Sequence, residues 1–193
     1  MVKSIGKKIN TAVFISGRGS NLKSLIKNSK SKNSPIKIKL VISNKKDAVG
    51  LKYAKDSKIN FSIKNFKKNS ISENYILGQL LKEKIEIICL AGFMKILSKN
   101  FIKKFNKPIL NIHPSLLPKY KGLNTHTRVI KNKEKFTGST VHLVTSKLDS
   151  GKIILQKKLK ILKNDTAKTL EKKILKIEHK LYYKAIVKFL ANL

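Results

Sequence analysis

The sequence predicts an α/β fold in which a mostly parallel, twisted sheet is covered by helices on both faces. Apolar runs of strand length alternate with amphipathic stretches of helix length along nearly the whole chain, which is typical of parallel sheets. The length of 193 residues suits one domain. We therefore expect a single domain over residues 1–193, with a phosphate-binding half at about 9–105 and a catalytic half at about 106–193.

The first half is predicted to contain four strands joined by helices. Its apolar runs predict strands at residues 9–15, 36–42, 60–63 and 85–90. Amphipathic or capped stretches predict helices at residues 20–30, 47–57, 70–84 and 97–105. Because a helix separates consecutive strands, the strands are expected to run parallel, as in Rossmann-like sheets.

The second half is predicted to contain three strands and a long closing helix. The strands are expected at residues 109–112, 140–144 and 152–162, and the helix at residues 166–190. Apolar residues of this helix recur at intervals of three and four, at Leu170, Ile174, Ile177, Leu181, Ala185 and Phe189. One face of the helix should therefore pack on the sheet.

The charge of the chain is extreme, with a formal net charge of +34 from 44 basic and 10 acidic residues. Such a charge favours binding of nucleic acid, but only Arg18 and Arg128 are arginine and the lysines are spread along the chain. A basic RNA-binding protein remains an alternative from a different functional class. The positive field should also steer anionic ligands towards the protein, with a rate that falls as salt is added.

Several kinds of site are disfavoured by composition. No apolar stretch reaches the length needed to cross a membrane, so we expect a cytoplasmic protein. Cys89 is the only cysteine, and the four histidines show no paired spacing, so neither a disulfide nor a metal site is expected.

The first predicted strand ends in SGRGSNL (residues 16–22), which opens directly into a helix. Two glycines allow a tight turn, and the free amides of Gly19, Ser20 and Asn21 at a helix N-terminus suit one phosphate group. The spacing lacks the signatures of dinucleotide and triphosphate loops. The alternative is a plain strand-to-helix turn with Ser20 as its cap.

The fourth strand ends in LAGFMKILS (residues 90–98), where an apolar run breaks at a glycine and then continues. Such a segment suits the wall of a pocket for a flat aromatic ligand, with backbone groups supplying hydrogen bonds. Ordinary core packing is the alternative.

Three polar residues suit acyl transfer through a tetrahedral intermediate. Asn111 and His113 end an apolar strand, and Pro114 restricts the backbone of His113. Asp149 lies in a turn far downstream. An imidazole passes protons near neutral pH, a carboxylate orients it and favours its cation, and an amide donor stabilises an oxyanion. No serine or cysteine has the setting of a nucleophile, so the nucleophile is expected to come from the substrate.

The chain resembles the folate-dependent phosphoribosylglycinamide formyltransferases of purine biosynthesis, from about residue 11 to residue 189. The matching blocks are ISGRGSNL (15–22), LAGFMKILS (90–98), NIHPSLLP (111–118), GSTVH (138–142) and LDSG (148–151). The resemblance implies transfer of a formyl group from the co-substrate 10-formyltetrahydrofolate to the amine of glycinamide ribonucleotide. The products are N-formylglycinamide ribonucleotide and tetrahydrofolate.

The resemblance also implies roles for particular residues. Asn111 and His113 would polarise the formyl oxygen, and Asp149 would hold His113 charged and help to relay the proton of the amine. The amides of Gly19, Ser20 and Asn21 would bind the ribonucleotide phosphate, and Glu178 would contact the ribose. Folate would bind at Asn111 and along the segment Met94, Lys95, Ile96 and Leu97.

The sequence departs from this family at two positions. Ser72 stands where relatives often carry an arginine that meets the folate tail, and Lys67 or Lys68 is a candidate substitute. The turn DSG (149–151) has Ser150 where a second glycine is common, which a serine tolerates unless its φ is positive.

Related enzymes are weaker matches to this chain. Formyltetrahydrofolate hydrolase, an alternative that uses the same module, typically carries an extra N-terminal domain. Methionyl-tRNA formyltransferase needs a further C-terminal domain. The predicted phosphate loop also favours a phosphorylated acceptor. We expect no specific nucleic-acid or membrane partner, and either a monomer or a homodimer.

Overall fold

A computed structural model describes residues 7–66 and 70–192, apart from the side chain of Ser70. Its internal contacts divide the chain into two compact units, residues 1–109 and 110–193. Helices and strands alternate through the described part, which confirms the predicted α/β class. The single-domain organisation stays a prediction.

The first unit contains four strands and four helices among its described residues. They are β1 (Ile9–Ile15), α1 (Ser20–Ser29), β2 (Ile36–Ser43), α2 (Leu51–Asp56), β3 (Asn60–Ile63), α3 (Ser70–Lys82), β4 (Ile87–Leu90) and α4 (Lys99–Phe105). The strand order is β3-β2-β1-β4, and all three pairings are parallel. The predicted parallel arrangement of this half is confirmed.

The core of this unit lies around the central strand β1, whose residues 11–15 are fully buried. The ring of Phe14 contacts Phe93 edge-on at a centroid distance of 5.4 Å and Phe101 at 6.3 Å. Phe66 packs edge-on against Phe93 at 4.9 Å. This aromatic cluster lies beneath the loops that follow the strands, so it supports the edge where the polar motifs lie.

The second unit contains three strands and two helices among its described residues. They are β5 (Ile109–His113), α5 (Thr125–Lys131), β6 (Phe136–Leu143), β7 (Ile153–Lys160) and α6 (Ala167–Leu190). Strand β6 pairs antiparallel with both β5 and β7. Within this unit the pairing therefore differs from the parallel pairing of β1–β4.

Helix α6 buries the face that its periodicity predicts. Leu170, Ile174, Leu181 and Ala185 are buried, and Tyr182 adds a hydroxyl that donates to the carbonyl of Leu110 at 2.9 Å. Ile177 and Phe189, which were predicted for the same face, are half-buried. Thr166 and Thr169 form a reciprocal capping box that fixes the start of the helix.

Three elements differ from the prediction by more than two residues at one end or were not predicted. Helix α2 begins at Leu51 instead of residue 47, since Ala48 and Val49 form a turn. Helix α5 was not predicted, because its seven residues open with two β-branched threonines and its N-cap Asn124 makes no side-chain cap. Strand β6 begins four residues early because Gly138 belongs to it. A Cβ there would collide with the Lys157 carbonyl and the Leu116 side chain.

In the part of the chain that the structure describes, no helix is both long and apolar enough to span a bilayer. Even α6, at 24 residues, carries lysines throughout. A cytoplasmic location remains an expectation from the sequence.

Candidate active site

The loops after β1, β2 and β4 are joined at the carboxyl edge of the first unit. The amide of Ser16 donates to the carbonyl of Gly92 at 3.1 Å, and its hydroxyl accepts from the amide of Met94 at 2.7 Å. The same hydroxyl donates to Asn44. These bonds place the glycine turn after β1 beside the segment that follows β4, at the edge where parallel sheets bind ligands.

The glycine turn after β1 is closely packed against residue 50. Gly19 has φ +69°, and a Cβ on it would lie 2.5 Å from the Cα of Gly50. The amide of Gly50 donates to the carbonyl of Gly17 at 2.9 Å. Helix α1 then begins at Ser20, and its first amides point away from the helix, as at any helix N-terminus. The local geometry is therefore that of a tight glycine turn leading into a helix, and phosphate binding at this turn stays a prediction.

The segment after β4 is divided between core and surface. Met94 and Ile96 are 60% and 74% exposed, and Lys95 is exposed as well. Leu97 is only 4% exposed. The first three side chains are therefore free to touch a ligand, whereas the side chain of Leu97 packs in the core of the unit.

The three residues predicted for acyl transfer come together in the second unit. Asn111 on β5 lies opposite His142 on β6, and its amide nitrogen Nδ2 is 3.2 Å from His142 Nε2. That amide nitrogen is also 3.5 Å from Asp149 Oδ1. Asp149 Oδ2 lies 3.4 Å from His113 Nδ1. Asn111, His113 and Asp149, which are distant in the sequence, thus form one cluster with His142.

The imidazole of His113 is held on its other side by the backbone. Its Nε2 lies 2.8 Å from the carbonyl oxygen of Tyr120, and since a carbonyl only accepts, Nε2 must carry a proton. The hydroxyl of Ser139 donates to the His113 carbonyl at 3.0 Å. In a neutral ring, Nδ1 is therefore the nitrogen with a free lone pair, and it faces Asp149.

Asp149 is presented by a turn with unusual backbone geometry. Its φ is +45°, which aspartate tolerates better than most residues. Its Oδ2 accepts from the amide of Gly122 at 2.9 Å. Ser150 does not share the positive φ, so its serine side chain is accommodated. Gly151 has no room for a Cβ because the Leu143 carbonyl lies against it.

Burial and nearby charges set the protonation of this cluster. Burial lowers the pKa of His113 below 6.5, and the Tyr120 carbonyl and Asp149 oppose this shift without reversing it. Burial alone would raise the pKa of Asp149, but the contacts with His142, the Gly122 amide and His113 hold this pKa below its usual range. Burial therefore favours the neutral form of the His113 ring, whereas Asp149 and the Tyr120 carbonyl favour its cation. The role of Asp149 in holding His113 charged stays a prediction.

The loop between His113 and Tyr120 is fixed by side chains of β6 and β7. Thr140 donates its hydroxyl to the carbonyl of Ser115 at 2.6 Å and accepts from the amide of Leu117 at 3.1 Å. Gln156 donates to the Leu117 carbonyl at 2.9 Å. Pro114 was predicted to restrict the backbone of His113, and these bonds tie the rest of the loop to the sheet.

Comparison with known proteins identifies the family. A family model described as "Formyl transferase" matches residues 9–186. The phosphoribosylglycinamide formyltransferase of Haemophilus influenzae is 44% identical over 179 residues, which make up 91% of this chain and 84% of that protein. The chain belongs to the phosphoribosylglycinamide formyltransferase family. The crystal structure of a phosphoribosylglycinamide formyltransferase from Brucella melitensis has a TM-score of 0.90 at 42% identity, and the match covers 97% of this chain and 98% of that chain.

One relative is much longer than this formyltransferase, and the two match over only part of the longer protein. The human "Trifunctional purine biosynthetic protein adenosine-3" is 43% identical over 183 residues, which are 93% of this chain but 18% of that protein. The chain thus spans less than a fifth of its length. Together the relatives confirm the resemblance and the formyltransferase fold, and they do not favour the hydrolase or the RNA-binding alternative.

The remaining residues implied by the formyltransferase resemblance lie as follows. Glu178 is 5% exposed, and its Oε1 is 3.4 Å from the hydroxyl of Ser139, which also bonds to the His113 carbonyl. Ser72 is half-buried in the first turn of α3. Lys67 and Lys68, the candidate substitutes for a tail-binding arginine, lie outside the described residues. A ribose contact by Glu178 and the folate-tail contact stay predictions.

Formyltransferases of this family use a formyl-folate as co-substrate, as the sequence predicted. Within residues 7–66 and 70–192, no three histidine, cysteine, aspartate or glutamate side chains are grouped as a metal site would require.

Sequence reasoning missed four contributors to the formyltransferase site. No site role was predicted for His142, although the antiparallel register of β5 and β6 places it against Asn111. Tyr120 and Gly122 act through backbone groups, which leave no signal in residue type. Gly50 is required by close approach to Gly19, a contact between loops that the sequence does not reveal.

Proposed function

We propose that this chain transfers the formyl group of 10-formyltetrahydrofolate to the amine of 5'-phosphoribosylglycinamide, giving N-formylglycinamide ribonucleotide and tetrahydrofolate. The observation that carries the proposal is the cluster of Asn111, His113 and Asp149, in which His113 Nδ1 lies 3.4 Å from the Asp149 carboxylate and Nε2 lies 2.8 Å from the Tyr120 carbonyl oxygen. The names and chemistry of the relatives support the choice of substrates.

The proton of the amine is handled by His113 in this proposal. Neutral His113 accepts it at Nδ1 as the amine nitrogen bonds to the formyl carbon. Asp149 Oδ2, 3.4 Å away, stabilises the imidazolium that forms, while the Tyr120 carbonyl keeps its bond to Nε2. His113 then returns the proton to the folate nitrogen as the bond between that nitrogen and the formyl carbon breaks. One carbon–nitrogen bond forms, one breaks, and the proton passes from the amine to the folate nitrogen.

The oxygen of the formyl group is assigned to Asn111. An amide N–H within the cluster is a donor that gains strength as negative charge develops on that oxygen. The contacts of Asn111 Nδ2 with His142 and Asp149 are 3.2 and 3.5 Å long, and in this proposal the longer, weaker contact with Asp149 gives way to the formyl oxygen. Protonated His113 adds positive charge to the same region.

The two ligand segments of the first unit receive the substrates in this proposal. The amides of Gly19, Ser20 and Asn21 bind the phosphate, where the helix dipole favours an anion. Exposed Met94 and Ile96 supply apolar contact for the pteridine ring of the folate. Lys95 and the high positive charge attract the anionic substrates, so the association rate should fall as salt rises.

The proposal is tested by mixing the protein with the formyl-folate and one of two acceptors. We expect deformylated folate to appear only when glycinamide ribonucleotide is present. The dephosphorylated riboside should react with a kcat/KM at least about a hundredfold lower, because it loses several charge-assisted hydrogen bonds. Deformylation without any acceptor would reject the proposed function in favour of hydrolysis. Equal use of both acceptors would reject the phosphate loop alone.

A further inference from the structure

Arg128 is one of two arginines in a chain that otherwise uses lysine for its positive charge. Its Nη1 donates to the carbonyl of Lys121 at 2.6 Å and lies 3.4 Å from the carbonyl of Leu123. Its guanidinium lies over the ring of Tyr120, 5.3 Å from the ring centre. A planar guanidinium stacks on a ring and bonds to carbonyl groups at the same time, which a lysine ammonium does poorly.

Tyr120 is held from a second side by its hydroxyl. This hydroxyl donates to Glu134 Oε1 at 3.0 Å and accepts from Asn132 Nδ2 at 3.0 Å. Lys119 and Tyr120 together hold the pKa of the Glu134 carboxyl below its usual range, so it is charged near pH 7. Tyr120 has φ +58°, a conformation that a bulky residue keeps only where its surroundings hold it.

The backbone of the same turn, residues 119–123, contacts both members of the proposed proton-transfer pair. The carbonyl of Tyr120 accepts from His113 Nε2 at 2.8 Å, and the amide of Gly122 donates to Asp149 Oδ2 at 2.9 Å. Among the described residues, the structure shows no hydrogen bond from the side chains of Arg128, Glu134 or Tyr120 to His113 or Asp149. These side chains instead fix the backbone groups that bond to His113 and Asp149.

We infer that Arg128, Glu134 and the Tyr120 side chain are positioning residues, which hold the 119–123 turn so that His113 keeps its proton on Nε2 and leaves Nδ1 free. This inference rests on the proposed function, since that function needs Nδ1 to accept a proton. If the turn relaxes, the Tyr120 carbonyl moves away from Nε2, and the neutral ring can then carry its proton on Nδ1, which faces the Asp149 carboxylate.

The test uses the whole protein labelled with ¹⁵N at its histidine rings, so that the protonated nitrogen of His113 is read directly. A His113→Gln variant identifies the resonances. The wild type should show a single neutral form protonated at Nε2. Tyr120→Phe and Arg128→Lys should each show a mixture of Nε2- and Nδ1-protonated rings. Glu134→Gln should show a smaller change, because glutamine still accepts from the tyrosine hydroxyl.

The same variants are assayed for formyl transfer. Tyr120→Phe and Arg128→Lys should lower kcat by about tenfold and leave KM within about twofold, since misplacement affects the reacting groups more than binding. Tyr75→Phe is the matched control, because its hydroxyl accepts from Gln79 at 2.8 Å and Lys64 lies over its ring at 4.1 Å, far from this turn in the sequence. Tyr75→Phe should change neither the protonated nitrogen of His113 nor the kinetics of formyl transfer.

The inference is overturned if His113 stays wholly Nε2-protonated in the folded variants, whatever their activity. It is also overturned if the wild type is not protonated at Nε2. Should Tyr120→Phe fail to fold, the conservative Arg128→Lys variant decides the question. A wild type that transfers no formyl group would refute the proposed function, whereas the ring spectra would still decide whether the turn is held as inferred.

Discussion

Replacing His113 by alanine is expected to lower kcat by roughly a thousandfold, within the range attributed to a general acid-base group. The ring is buried against Tyr120 and Asp149, and in the proposed mechanism its Nδ1 takes up the proton of the amine. Steady-state kinetics of the purified variant with both substrates measure the loss.

His113→Gln serves as the companion to the alanine variant. A glutamine amide can still donate to the Tyr120 carbonyl, but it cannot take up and release a proton near neutral pH. We expect it to be as inactive as the alanine variant while melting closer to the wild-type temperature. Turnover near the wild-type rate in either folded variant would contradict the role given to His113.

Replacing Asp149 by asparagine is expected to lower kcat by about a hundredfold or more, because the imidazolium that forms on His113 loses its neighbouring negative charge. Asparagine tolerates the positive φ of this position, so the backbone of the turn should be kept. Asp149→Ala removes the same charge and adds backbone strain, so it should be equally inactive and less stable.

The pH dependence of kcat/KM gives a second test of the role of Asp149. The acid limb of kcat/KM reports the pKa of His113, since a protonated ring cannot accept a proton. The Tyr120 carbonyl and Asp149 raise this pKa, whereas burial, His142 and Arg128 lower it. Removing the Asp149 charge therefore moves the acid limb to lower pH. A limb that stays in place, or moves to higher pH, would show that Asp149 does not stabilise the His113 cation.

The sequence predicted the first unit well because its signals are local. The bounds of β1 and β3 follow from apolar runs bounded by polar or glycine residues. Helix α5 was missed because its residues have weak helix propensity. It is supported by α6, since Val129 of α5 packs against residues of α6. The start of β6 was missed because Gly138 reads as a break when its partner strand is unknown.

The candidate site was predictable in its residue types and less so in its protonation. Asn111, His113 and Asp149 do converge, as the motifs indicated. The lowering of the His113 pKa by burial was not foreseen, because it depends on how deeply the ring is buried in the folded unit. The contribution of Gly50 was missed for the same reason, since it depends on close approach between two loops.

The fate of the formyl carbon tests the central claim most directly. The protein is supplied with 10-formyltetrahydrofolate labelled with ¹³C in the formyl group, together with glycinamide ribonucleotide, and the products are followed by carbon NMR. We predict that the label passes directly to the glycinamide nitrogen and that no labelled formate accumulates. Label recovered as formate, or retained on the folate, would contradict the proposed transfer.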